Sequence, residues 1–308
     1  MNFVFYSQFH NGDCFLSKGW VQDLIEKIPN ANFYYAHQRS PEILKDLNAQ
    51  YLDMRTVPVL WSLTFQPIAK VGEDIAIHTW CGIFREEKYG EIIPPLGHST
   101  FIRQYEIYKK ICEYIFLLSG IDVKVSNEPK DYIPKIDFSR YDLSAADKFV
   151  SSLRGKMMFL FCNNDVMSGQ SDVGDMENVL CSLSERFPDC AFVSTKKLSL
   201  KQDNIHYTSD IFNKACDLNE IAYLSKFAKM IVGKNSGAGI YVQFYENLND
   251  ENKTFYFLSH REDDNPHFGL DFPASIKFSS ESADDKLIEL FAKEIREFYK
   301  PGGETHER

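Results

Sequence analysis

The chain has no C-x-x-C pair and no excess of basic residues. It also has no apolar run near the ~18–20 residues that a membrane-spanning helix needs. Its seven cysteines (Cys14, Cys81, Cys112, Cys162, Cys181, Cys190 and Cys216) are scattered. An odd count without framework spacing predicts reduced thiols rather than a disulfide scaffold. No H-x-x-x-H, H-E-x-x-H or Cys/His cluster occurs, so no metal site is expected. Neither G-x-G-x-x-G nor G-x-x-x-x-G-K-[ST] is present, which removes the usual signatures of a nicotinamide cofactor and of a P-loop. Lys+Arg 34 against Asp+Glu 44 gives a net charge of -10, which repels long polyanions and disfavours a nucleic-acid partner. Met1–Tyr6 lacks the basic and apolar regions of a signal peptide and reads as a first strand. Together these absences predict a cytoplasmic protein.

The 308 residues, 44% hydrophobic and 25% charged, match an ordinary globular chain about two average domains long. Asn2–Tyr6 is β-prone, Gln8–Asp13 is a polar loop, and Trp20, Val21, Leu24, Ile25 and Ile28 recur at helical spacing before Pro29. With a strand at Asn32–Ala36, this is a βαβ unit opening a parallel sheet. Further strands are expected at Val57–Leu60, Asp74–His78 and Ile121–Val125, with a long helix through Phe101–Ile115. The proline-containing stretch Asn127–Asp142 has no sustained period and reads as a connection.

The pattern then restarts. Strands are expected at Met157–Cys162, Ala191–Ser194, Asn204–Thr208, Lys229–Gly233 and Phe255–Leu258, with helices through Met176–Leu183, from about Ile240, and through Leu287–Phe298. Asp217 and Glu220 have the spacing of a capping box for another helix. The fold class is therefore α/β, with two Rossmann-like domains facing a central cleft: residues 1–142, residues 143–300, and a polar tail, 301–308. The closing helix is the element available to pack back on the N-terminal domain.

Ligands of such sheets bind beyond the carboxyl ends of the strands. Gly233-Lys234-Asn235-Ser236-Gly237-Ala238-Gly239 joins a strand to a helix, and its small residues suit a diphosphate approaching main-chain N–H groups. The same glycines equally suit a tight turn with no ligand. Asp13, in His10-Asn11-Gly12-Asp13, is either a general base or the cap of the following helix. Asn163, Asn164 and Ser168 follow a strand and offer polar contacts, and Arg261 offers a cation for a phosphate. His78 and Trp80 form either an acceptor wall, together with His10, or a buried pair.

Taken together, these segments resemble the GT-B glycosyltransferases, and among them the heptosyltransferase-like proteins of glycosyltransferase family 9. The likeness lies in Phe3–Ile28, with Gly12-Asp13 at the turn, and in Leu218–Phe244, where a strand ending in Val232-Gly233 leads to a Ser236-Gly237 turn. The resemblance implies that Asp13 is the catalytic base and that Ser236, Gly237 and Ala238 bind the donor diphosphate, beside which Lys234 or Arg261 would supply a cation. It further implies Asn163, Asn164 and Ser168 near the phosphates and Asp210 and Ile211 near the nucleoside. The implied activity is inverting, metal-independent transfer of a sugar from a nucleotide-diphosphate sugar to a hydroxyl of a surface glycan or glycolipid, as in lipopolysaccharide or polysaccharide biosynthesis. No cofactor is implied. A lipid-linked acceptor would bring the enzyme to the inner face of the membrane as a peripheral partner. A non-hydrolysing nucleotide-sugar epimerase and a catalytically silent nucleotide-sugar-binding protein are the alternatives.

Overall fold

The computed structural model describes residues 1–63, 66–80, 100–166, 171, 174 and 176–299. Its first half contains β1 (Asn2–Ser7), α1 (Asn11–Lys27), β2 (Asn32–His37), β3 (Gln50–Asp53), α2 (Pro58–Ser62), β4 (Ile68–Val71), β5 (Asp74–His78) and α3 (Thr100–Ser119). Its second half contains α4 (Ser144–Ser152), β6 (Met158–Cys162), α5 (Glu177–Arg186), β7 (Ala191–Ser194), β8 (Ile205–Tyr207), α6 (Thr208–Phe212), α7 (Leu218–Ser225), β9 (Ala228–Gly233), α8 (Gly237–Tyr241), α9 (Tyr245–Leu248), β10 (Thr254–Leu258), β11 (Ser275–Ser279) and α10 (Asp284–Phe298).

The first sheet has the order β3-β2-β1-β5-β4, parallel except for β4 against β5. The second has the order β11-β10-β9-β6-β7-β8 and is parallel throughout. Its central strands read as continuous apolar runs because helices cover both faces: Met158–Cys162 is buried at every position. In each sheet the chain starts in the middle, builds outward on one side, then crosses to the other. The crossing points lie between β1 and β5 and between β6 and β9. Loops diverge there, and a crevice opens at the carboxyl ends.

The halves are not separate bodies. One buried apolar cluster runs from Phe3, Phe5 and Trp20 of the first half to Leu160, Ile231, Tyr241 and Phe257 of the second. The connection is packed as well. Tyr132, Ile133 and Ile136 are buried, and the Lys18 ammonium, itself paired with Asp46, donates to Lys135 O at 2.5 Å. Gly19 is required beneath this segment, since a Cβ there would fall 1.8 Å from Tyr132 O.

Several elements differ from the sequence expectation. Val57–Leu60 is not a strand. Pro58 occupies the first turn of α2, where its fixed φ and missing N–H suit a helix start. Ile121–Val125 pairs with no strand among the described residues; Val123 instead buries its side chain in the core. Helix α1 begins at Asn11, inside the expected polar loop. Asp217 precedes α7 without capping it through its side chain, which bonds with Thr208 instead, and Glu220 pairs with Lys214. The closing helix does not turn back on the first half. Leu287, Phe291 and Ile295 of α10 pack with Phe161 of the second sheet and with Val179 and Leu183 of α5.

Candidate functional site

Helices α1 and α8 enter from opposite halves and meet at their amino ends. An added Cβ at Gly237 would sit 3.9 Å from Asn11 Cβ, and one at Gly12 would sit 3.3 Å from Ile240 Cγ1. Asp13 and the Ser236 turn, separated by more than two hundred residues in sequence, are thereby brought to the same seam between the sheets.

Asp13 is the third residue of α1, and its Oδ2 accepts the His10 N–H at 3.0 Å. It thus caps the helix, one of its two sequence readings, while standing at the strand-end crevice that the other requires. Burial pushes its carboxyl above the usual carboxylate range; the His10 N–H and the charges of His10 and Arg39 pull it back.

Ser236 accepts the Gly239 N–H at 3.2 Å and so caps α8. Gly237 and Ala238 keep the donors that a helix start leaves unpaired. Because α8 has only five residues, its contribution to an anion comes from individual N–H groups rather than a long dipole. Gly239 is dictated by space, since a Cβ would lie 1.9 Å from Lys234 O. Lys234 is 3% exposed and donates to Gly174 O at 3.1 Å, so it ties the turn to the segment leaving β6.

Other expected residues have different surroundings. Asn163 is fully buried, and its Oδ1 accepts from Ser194 Oγ at 3.0 Å and Lys196 N at 3.1 Å; it braces the ends of β6 and β7. Asn164 donates to Thr195 O at 3.3 Å and leaves a buried Oδ1 unpartnered. Ser168 lies outside the described residues. Arg261 is turned onto Asp264 at 3.0 Å and Asp263 at 3.2 Å, so an incoming phosphate would compete with two carboxylates. Asp210 pairs with Lys197 and, with Ile211, lines a groove of about 680 Å³ beside β8 and α4 that shares no lining residue with Asp13 or the Ser236 turn.

The expected acceptor wall is largely internal. His78 is fully buried, receives the Trp80 N–H on Nδ1 at 3.1 Å and sets Nε2 2.8 Å from Gln8 Oε1. Burial holds its imidazole at about 3, so it is neutral. The Trp80 and Phe9 rings lie tilted against each other with centres 4.0 Å apart. His10 alone of the three is exposed, at the start of α1.

Sequence reasoning passed over a pocket of about 640 Å³ at the seam. It is lined from the first half by Asn11, Arg39 and Ser40 and from the second by Lys214, Cys216 and Asp217. Its position behind β2 was the available signal, since Gln38-Arg39-Ser40 directly follows a strand. Among the described residues, no group of three or more His, Cys, Asp or Glu side chains is placed to hold a metal. No helix among them is long and apolar enough to cross a membrane.

No protein-family model matches the chain, and no curated protein does. Solved structures do. A glycosyltransferase family 9 protein from Veillonella parvula is 12% identical with TM-score 0.52, over 94% of this chain and 90% of that one. E. coli heptosyltransferase WaaC with ADP is 10% identical with TM-score 0.55, over 97% and 100%. A structure from Listeria monocytogenes named for UDP-N-acetylglucosamine 2-epimerase is 8% identical with TM-score 0.50, over 97% and 89%. With two parallel-sheet halves meeting at their strand ends, the chain has a GT-B-like fold.

Proposed function

We propose that this chain is a glycosyltransferase that moves a sugar from a nucleotide-diphosphate sugar to a hydroxyl acceptor. The observation that carries the reading is the meeting of α1 and α8, which brings a half-buried carboxylate to the same seam as a row of main-chain N–H donors. The fold-level likeness to structures titled as a family 9 glycosyltransferase and as a heptosyltransferase with ADP supports it.

In this reading the donor diphosphate lies against Gly237 and Ala238, whose N–H groups stabilise the charge that grows as the nucleotide leaves. Asp13 takes the proton from the acceptor hydroxyl as its oxygen attacks the anomeric carbon. A single displacement inverts that carbon. The proton goes to Asp13 and the bonding pair to the diphosphate, so charge balances without a bound metal. Lys234 fixes the turn, and Arg261 would reach the phosphates only after leaving Asp263 and Asp264. The acceptor enters past His10 and the seam pocket; a glycan or glycolipid of the cell surface fits, the latter with peripheral membrane contact at the inner face.

The test is a transfer assay with a panel of nucleotide sugars, run with EDTA and with the anomeric configuration of the product read by NMR. Inverted product formed in EDTA, and lost in Asp13→Asn while nucleotide diphosphate still raises Tm, is the expected result. A second reading, a nucleotide-sugar epimerase, is favoured by the structure named for that activity among the similar folds. Product formed from donor with no acceptor present would select it.

A further inference from the structure

Arg39 leaves the end of β2 and is held by main chain rather than by an acid. Its Nε donates to Phe9 O at 2.9 Å, and its Nη2 lies 3.4 Å from His10 Nδ1. His10 in turn donates its N–H to Asp13 Oδ2 at 3.0 Å. These contacts form an unbroken path from the β2 exit, through the loop between β1 and α1, to the carboxylate. No carboxylate lies within ion-pair distance of this guanidinium among the described residues, and Arg39 lines the seam pocket.

We propose that Arg39 is a positioning residue for the transfer: its guanidinium fixes the Phe9–His10 loop from which Asp13 is held, and it brings a positive charge to that side of the seam. The role rests on the reading of Asp13 as the base. A base must be ionised before it can accept a proton, and a carboxylate taken out of water in a protein of net charge -10 is driven the other way.

The surroundings of Asp13 leave this task to few groups. On its own helix it faces His10 and Cys14, whose thiol burial pushes up to about 12 and keeps neutral. From α8 the neighbours at the seam are Ile240 and Gly237, which carry no charge. From the β2 exit comes Arg39, whose charge acts on Asp13 after the His10 N–H and the His10 charge. Farther round the pocket, Glu42 and Asp217 are acidic, and the Lys214 charge is already met by Glu220.

Carboxyl-¹³C NMR of aspartate-labelled protein reads the effect without any activity, the Asp13 signal being identified by its loss in Asp13→Asn. In Arg39→Gln, which keeps a donor for Phe9 O but no charge, the Asp13 midpoint is expected to rise above that of the native protein. In Arg39→Lys, which keeps the charge and loses the planar fork, it should stay near the native value. The acid limb of kcat/KM should move with it, while the Tm gains from ADP and UDP stay unchanged. Arg39→Met replaces the glutamine variant if that one does not fold. An Asp13 midpoint that is the same with and without the Arg39 charge overturns the proposal. Full transfer by Asp13→Asn overturns the base reading instead, and the two results are read from different proteins.

Discussion

Gly12 packs directly against Ile240: a single added carbon at Gly12 would come within 3.3 Å of Ile240 Cγ1. The contact joins the first turn of α1 to the body of α8, one helix from each half. Around it, Phe15 stacks on Tyr241 with centres 4.2 Å apart, the Tyr241 hydroxyl donates to Ile43 O at 3.0 Å, and Asn219 Nδ2 donates to Glu42 O at 2.8 Å. The seam beside the candidate site is therefore apolar and close-packed at its floor.

That floor should couple the unfolding of the halves. Tyr241→Phe removes a buried donor and should cost about 1–2 kcal/mol. Tyr241→Ala leaves a cavity and should cost about 3–5 kcal/mol. Calorimetry should show one transition for the native protein and a broadened or split one for the alanine variant. A sharp single transition in both would mean that the seam does not join them.

The glycines of the Ser236 turn should behave differently from one another. Gly239→Ala forces its Cβ onto Lys234 O, so the turn must move; donor binding should be lost and stability reduced by more than about 2 kcal/mol. Gly237→Ala meets only ordinary contacts at 3.8–3.9 Å, and its folding should be almost unaffected. Urea denaturation and nucleotide-diphosphate titration of the pair check this.

Asp13 carries two roles that substitution can separate. Asp13→Ala loses the acceptor for the His10 N–H and should cost about 1 kcal/mol as well as activity. Asp13→Asn keeps an oxygen for that bond, so it should fold like the native chain yet transfer sugar about 10²–10⁴-fold more slowly. A stable asparagine variant with native turnover would leave only the capping role.

Stability should fall in mild acid. Burial lowers His37 and His267 to about 4 and His78 to about 3, below the ordinary value of 6.5. Between those values the unfolded chain binds protons that the native chain refuses. Stability is thus full above about pH 6.5 and declines as pH drops toward 4, by on the order of 1–2 kcal/mol per histidine at pH 5. Urea midpoints at pH 7 and pH 5 measure it. His78→Gln should flatten the slope, and equal midpoints in the native protein would contradict the mechanism.

Much of this molecule was legible where local and global preferences agree. The apolar run Met158–Cys162 and the amphipathic Leu287–Phe298 read correctly because burial on both faces, or on one stripe, leaves a direct pattern. β3 and β11 were missed because they are sheet edges with half-exposed residues, and edges carry little apolar signal. Asp217 and Glu220 had capping spacing, but a lysine six residues before Glu220 captured the carboxylate. The Ser236 turn announced itself through glycine. Arg39 could not, because a lone arginine after a strand has no spacing to read; its partners are contributed by a different loop.

The packed stretch between the halves has a further meaning for recombination. Ile133 and Ile136 are seated in the core, Tyr245 N reaches Pro134 O at 2.9 Å, and the Tyr141 hydroxyl bonds Asp46 at 2.8 Å. A chimera that swapped either half for that of a relative would inherit only one side of this joint. Crossovers should therefore be placed outside residues 127–142, since shuffling at the apparent boundary would break the chain within a segment fitted against both halves.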